Sequence, residues 1–167
     1  MDDTIHATIR FATFSDLESI GRLGALLVGA HHDFDPKRFI AASSRTEQEY
    51  ASLLGKQLKE PDDAIVVAEY DGKVVGFAYA GMVGPDFMSL RGPVGALYDL
   101  VVDPVHRGRG IGRLLLDAAL RELTVRKAPR VLLSTAEQND SAQRLFARAG
   151  FRPTMIEMTR ELDDVSS

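Results

Sequence analysis

The chain has 167 residues, 45 % of them apolar and 26 % charged, with a formal net charge of -4 and no cysteine. That length suits one domain over 1–167 with a sizeable core at about 5–162, and the acidic balance speaks against a general nucleic-acid binder. The lack of cysteine excludes disulfides, thiolate metal sites and cysteine nucleophiles, and no apolar run approaches the roughly 20 residues of a bilayer span.

Residues 5–11 alternate, with Ile5, Ala7, Ile9 and Phe11 on one face, which predicts a strand. Ser15 and Glu18 have capping-box spacing. Leu17, Ile20, Leu23 and Leu27 then recur at helical spacing, predicting a helix over about 16–30. His31-His32-Asp33-Phe34-Asp35-Pro36 breaks that pattern and reads as a loop. Two uses of it stand side by side: a solvated helix exit, or a substrate-facing loop with His31 or His32 as proton acceptor. Metal binding is disfavoured, because no third ligand sits at a recognisable spacing.

Ser44 and Glu47 repeat the capping-box spacing before Tyr50, Leu53, Leu54 and Leu58, a second amphipathic helix ending near Lys59. Two β-like runs, 64–70 and 73–82, flank Asp71-Gly72, a hairpin signal. In the loop that follows, Phe87, Met88 and Leu90 either line a substrate mouth or pack over a sheet edge. A fourth strand is predicted over 94–102, with Tyr98, Leu100 and Val102 on one face and Leu97, Asp99 and Val101 on the other. A loop dense in glycine and arginine comes next, then a helix to about residue 126. The apolar run 130–136 reads as a central parallel strand, Asn139 begins a short helix, and Gly150 sits where a left-handed cap belongs. A last strand is predicted over 155–162. The order is a mixed α/β fold: an antiparallel meander, then a βαβ unit whose crossover helix starts at the glycine-rich loop.

The stretch Val101 to Leu116, with that loop at its centre, carries the strongest chemical signal. Its glycines let backbone N–H groups approach a ligand, and the helix start adds unpaired N–H groups and the positive end of the dipole, together a cradle for a phosphate or pyrophosphate. A mononucleotide P-loop would need Lys-Ser or Lys-Thr where Arg113 and Leu114 stand. A dinucleotide fingerprint would need a third glycine where Arg113 stands, and it follows a first strand rather than a fourth.

Arg107-x-x-Gly110-x-Gly112 resembles the pyrophosphate loop, R/Q-x-x-G-x-G/A, of the GNAT N-acetyltransferase superfamily. Leu97 to Pro104 resembles that family's fourth strand, and Asn139-x-x-Ala142-x-x-x-Phe146-x-x-x-Gly150-Phe151 is similar to its later motif. With the element order, the resemblance covers nearly the whole chain. It implies a GNAT-like fold with splayed central strands, and acetyl-CoA as co-substrate with no metal. The pyrophosphate would rest on backbone N–H groups of Arg107, Gly108, Arg109, Gly110, Ile111 and Gly112, with Arg113 at the helix entry. The pantetheine would run along Leu100, Val101 and Val102, with Asn139 and Phe146 also touching the cofactor.

The implied reaction is direct attack of a neutral amine on the thioester carbonyl, with a strand N–H near Val101 stabilising the oxyanion. Asp99 is the leading general base, since desolvation in an apolar strand raises a carboxylate pKa; a structural carboxylate is the alternative. Tyr98 is placed on the opposite face as a second candidate, and Tyr79 and His31 as substrate-binding residues. The family usually carries a tyrosine general acid where this chain has Phe146, which cannot donate a proton. Two functions follow from these residues: an acetyl-CoA-dependent N-acetyltransferase, acting on a small-molecule amine or a peptide or protein amine, or a non-catalytic acyl-CoA sensor. A cytoplasmic protein, a possible homodimer, with no nucleic-acid or membrane partner, completes the expectation.

Overall fold

The structure, a computed structural model, describes residues 6–162. Strands β1 (Thr8–Phe11), β2 (Asp63–Tyr70), β3 (Lys73–Val83), β4 (Val94–Val102) and β5 (Val131–Leu133) form one sheet in the order β1-β2-β3-β4-β5. The first three pairings are antiparallel and β4–β5 is parallel. This is the expected meander followed by a βαβ unit. Ile5, assigned to the first strand from sequence, lies outside the described residues. Asp71 and Gly72 both have positive φ, as the tight turn between β2 and β3 requires.

Helices α1 (Leu17–Phe34) and α2 (Thr46–Gln57) cover one sheet face, and α3 (Ile111–Val125) and α4 (Asp140–Arg148) cover the other. Ile20 and Leu23 of α1 and Leu54 of α2 close over Val67, Phe77 and Val101. Leu115, Leu116, Ala119 and Leu123 of α3, with Phe146 of α4, pack on Ala78, Ala80 and Leu97. Each helix buries the apolar stripe that its sequence period provides.

The caps differ from the predicted ones. Asp16, not Glu18, closes the first box: its Oδ2 accepts from the Thr13 N–H at 2.8 Å, and Arg10 binds both its oxygens at 2.8 and 2.9 Å. Before α2, the Ser43 N–H donates to Thr46 Oγ1 at 2.8 Å, one step earlier than the Ser44 spacing suggested.

Three further corrections bear on function. First, α1 runs to Phe34, so His31 and His32 sit in its last turn and not in a loop. Nothing before Pro36 breaks the helix; Pro36 denies Asp35 the helical region, and Asp35 is extended at φ -153°. Second, β5 holds three residues instead of the predicted seven. Third, residues 155–162 form no strand, and Met155, Ile156 and Met158 are 84, 85 and 89 % exposed. A strand exists only when an edge pairs with it, and residues 155–162 pair with none of the strands. No described helix is long and apolar enough to cross a membrane.

Candidate active site

The site grows from an irregularity in β4. Tyr79 of β3 is opposite Asp99, but the next residue, Ala80, is opposite Leu97, so Tyr98 is the extra residue of a β-bulge. The bulge breaks the predicted alternation. Leu97 joins Leu100 and Val102 toward α3, while Tyr98, packed on Tyr79, joins Asp99 and Val101 toward α1 and α2. Tyr98 and Asp99 therefore share a face, which the sequence pattern had split between two.

The same bulge accounts for the short β5. Bulges bend a strand and increase its twist, and parallel pairing stops at Leu97 with Leu133, just before it. Beyond that point β4 continues to Val102 with its β5-side edge unpaired. The gap opens into a cavity of about 300 Å³. Leu97, Tyr98, Asp99 and Leu100 line it from β4; Leu133, Ser134 and Thr135 line it from the end of β5.

Tyr50, which sequence reasoning had counted only as an apolar helix position, is a wall residue of this cavity, and its hydroxyl donates to Asp99 Oδ2. Its place depends on Gly24, since a Cβ there would lie 2.2 Å from the Tyr50 ring. The sequence signal was available: a tyrosine at helical spacing whose hydroxyl needs a partner when buried. Burial pushes the Asp99 carboxyl above its ordinary 3.8; the bond from Tyr50 and the proximity of His31 pull it partly back. Burial, then the Asp99 charge, pushes the Tyr50 phenol far up, so Tyr50 stays a donor.

His31 lines the cavity from the end of α1. Its Nδ1 is 2.9 Å from the Leu27 carbonyl, and Phe39 and Phe34 pack edge-on against its ring. Tyr79 does not line the cavity. Its hydroxyl donates to Asp63 at 3.0 Å and its ring backs Tyr98, with centroids 4.6 Å apart, so it positions Tyr98. Phe87, Met88 and Leu90 neither line the cavity nor pack on the sheet edge; they stand exposed at the β3–β4 loop.

The glycine-rich loop lies where β4 leads into α3. Gly108 and Gly110 have φ of +74° and +79°, and Gly110 is the N-cap of α3. Such φ values favour glycine strongly. The N–H groups of Gly108, Arg109, Gly110, Ile111, Gly112 and Arg113 have no acceptor among the described residues. They turn a left-handed cap and a helix start into one anion-binding nest. Gly112 is different: a Cβ there would meet Leu145 and Val102 at 3.6 and 3.8 Å, ordinary contacts. The arginine side chains are partly committed. Arg107 Nε donates to the Val102 carbonyl at 3.0 Å, and Arg113 is bonded to Asp117 at 2.9 Å. Arg107 thus ties the loop to the end of β4, and its guanidinium contribution to the nest is reduced.

Asn139 caps α4, accepting from the Ala142 N–H at 3.1 Å, and also lines the cavity with Ala142 and Phe146. Phe151, past Gly150 at φ +91°, donates its N–H to the Phe146 carbonyl and packs on the Phe146 ring. The cavity, the unpaired edge of β4 and the nest follow one another along β4 into α3. No cluster of His, Asp or Glu among the described residues is placed to hold a metal ion.

The sequence profile of the acetyltransferase (GNAT) family matches residues 28–151. The chain belongs to that family. Among curated relatives, a mycothiol acetyltransferase of Acidothermus cellulolyticus is 38 % identical over 98 residues, covering 54 % of this chain but 30 % of that protein. The chain therefore spans less than a third of that relative's length. Among solved structures, a mutant of the BH1408 protein from Bacillus halodurans superposes with a TM-score of 0.79 at 23 % identity, over 93 % of this chain and 99 % of that one. An aminoglycoside N-acetyltransferase, AAC(6')-Iy, in complex with CoA gives 0.72 at 21 % identity, over 97 % and 99 %. At these identities the structures establish a shared GNAT fold.

Proposed function

We propose that this protein is an acetyl-CoA-dependent N-acetyltransferase acting on the primary amine of a small cationic molecule. The observation that carries the proposal is the succession along one strand of Asp99 in the cavity, the unpaired edge of β4 and the N–H nest at 108–113. The names of the relatives, mycothiol acetyltransferase and aminoglycoside N-acetyltransferase, support acetyl transfer to an amine.

In this reading the diphosphate of acetyl-CoA rests on the nest and the pantetheine lies along β4 past Leu97. The acceptor enters as an ammonium, drawn by Asp99 and by the faces of Tyr98 and Phe39. Asp99, made more basic by burial, takes its proton through water. The neutral nitrogen lone pair then attacks the thioester carbonyl, and the C–N bond forms as the carbonyl electrons move to oxygen. A β4 backbone N–H near Val101 stabilises that oxyanion. Collapse breaks the C–S bond as the nitrogen gives up its second proton to water, and CoA leaves as a thiolate. With a thiol pKa of about 8.5, departure needs no tyrosine where Phe146 stands; water protonates the sulfur afterwards.

Calorimetric titration with acetyl-CoA tests the donor, and CoA release across a panel of small amines tests the transfer. Asp99→Asn should lower kcat by about 100-fold, the scale of one positioned base. Phe146 also favours a second reading, a sensor that binds acyl-CoA without turnover. Donor binding with no CoA release over a broad panel, peptides included, would select the sensor; no binding at millimolar donor would reject both.

A further inference from the structure

The cavity beside Asp99 has two unlike walls. Ser134 and Thr135 past β5, and Asn139 before α4, give one wall hydrogen-bonding groups. Leu27 and Val28 of α1, with Phe39 and Ile40 of the connection to α2, give the other wall hydrocarbon. This second wall is built in advance. The Phe39 N–H donates to the Asp35 carbonyl at 3.0 Å, and its own carbonyl lies 2.9 Å from His32 Nδ1. His31 packs edge-on against its ring, with centroids 5.0 Å apart. The Arg38 guanidinium lies 4.8 Å from the ring centroid and is itself held by a forked ion pair with Glu157. A side chain fixed in this way offers area without losing rotamer freedom when a ligand arrives. Ile40 follows at 79 % exposure, an apolar rim that an apolar ligand would cover.

Negative charge is as sparse as hydrogen-bonding capacity on that side. Asp99 is the one carboxylate on the cavity lining. Asp35, in the same connection, is turned into its own chain and accepts from the N–H groups of Lys37 and Arg38 at 3.1 and 3.2 Å. Glu157 is taken by Arg38. His31 spends Nδ1 on the Leu27 carbonyl, and on gaining a proton it adds positive charge, not negative. A second ammonium would therefore meet no counter-charge. The hydroxyls of a sugar would lie against carbon, where a polar group without a partner is costly.

We infer that the acceptor is a primary monoamine with a compact apolar body, aryl-alkyl in type, its ammonium on Asp99 and its carbon on Phe39 and Ile40. The inference rests on the proposed acetyl transfer and narrows its substrate class. One carboxylate selects one charge, and a hydrocarbon wall selects against diamines and aminosugars. The aromatic faces of Phe39 and Tyr98 favour a ring over a plain chain. A cavity of about 300 Å³, shared with the thioester end of the donor, limits the acceptor to a small body. Phe39 and Ile40 are then the residues that determine specificity, and the Arg38–Glu157 pair positions them.

The test follows CoA release with 2-phenylethylamine, 1,4-diaminobutane and glucosamine, and along the series propylamine, butylamine, pentylamine. kcat/KM should be about tenfold or more higher for 2-phenylethylamine than for the diamine or the aminosugar. Along the alkyl series it should climb about three- to fourfold per methylene, the effect of burying each against carbon. Phe39→Ala should raise KM for 2-phenylethylamine by about tenfold or more, and for propylamine by less. Ile40→Glu, at an exposed position, adds a second carboxylate to the rim and should shift preference toward 1,4-diaminobutane. Equal or better turnover of the diamine or the aminosugar by the parent protein overturns the inference and leaves acetyl transfer standing. A flat alkyl series does the same. Calorimetry of the three amines on the CoA-bound protein separates the two readings. Tightest binding of 2-phenylethylamine, with no CoA released from acetyl-CoA by any amine, would overturn acetyl transfer and leave recognition of an apolar monoamine standing. No preference among the three amines, in binding or in turnover, overturns the inference.

Discussion

Removing the Tyr50 hydroxyl isolates the role of Asp99. In the folded protein Tyr50 donates to Asp99 Oδ2, and burial already holds that carboxyl above its ordinary 3.8. A hydrogen bond to a charged group contributes about 1.5–3 kcal/mol, and one pKa unit corresponds to about 1.4 kcal/mol. Tyr50→Phe withdraws stabilisation from the charged form alone, so the Asp99 pKa should rise by a further one to two units or so. The assay is kcat/KM against pH, which reports groups of the free enzyme. The acid limb should move upward by about that amount, while activity above it is largely retained. Stability gives an independent reading. A carboxyl whose folded pKa is raised lends its full stability below the unfolded value and loses it as pH climbs through the folded one. The deficit of Tyr50→Phe against the parent, read by urea unfolding, should therefore grow from acid to neutral pH toward about 2 kcal/mol. An acid limb that stays put, or moves down, would refute Asp99 as the base.

Gly24→Ala should reproduce part of this effect from a distance. Its Cβ would come within 2.2 Å of the Tyr50 ring, so calorimetry should show about 1–3 kcal/mol of overpacking loss together with an upward-shifted acid limb. The loop glycines should separate cleanly. Gly110→Ala, at φ +79°, should cost about 1–2 kcal/mol and raise KM for acetyl-CoA, whereas Gly112→Ala, facing ordinary contacts, should leave both within twofold. Arg10→Ala should remove about 2 kcal/mol at neutral pH, because Arg10 holds the Asp16 carboxyl below its ordinary value. A depressed carboxyl lends stability above its unfolded pKa and loses it as pH falls through the folded one, so the gap between variant and parent should close on acidification, as followed by urea unfolding.

The sequence carried the sheet order, the helix faces and the nest, because each rests on a local period or on glycines with a single plausible use. It misjudged β4 because a bulge leaves no mark on hydrophobic alternation; one inserted residue, Tyr98, moved two side chains onto one face. It cut α1 short at the histidines because polar residues end an apolar stripe without ending a helix. Tyr50 stayed hidden because its partner, Asp99, is 49 residues away. The strand expected at 155–162 pairs with no strand of the sheet, and pairing is what a local pattern cannot show.

The brevity of β5 has a consequence for motion. β4 is paired along its full length with β3, but in the β5–α4 segment only three residues, Val131–Leu133, pair with the sheet. Such a segment opens at lower free energy than the meander, so its amides should exchange with deuterated solvent first. A donor bridging the nest, the β4 edge and α4 would hold that segment from both sides. Acetyl-CoA should therefore slow exchange most in β5 and α4, and little in β2 and β3, making the ligand a clasp for the loosest part of its own site.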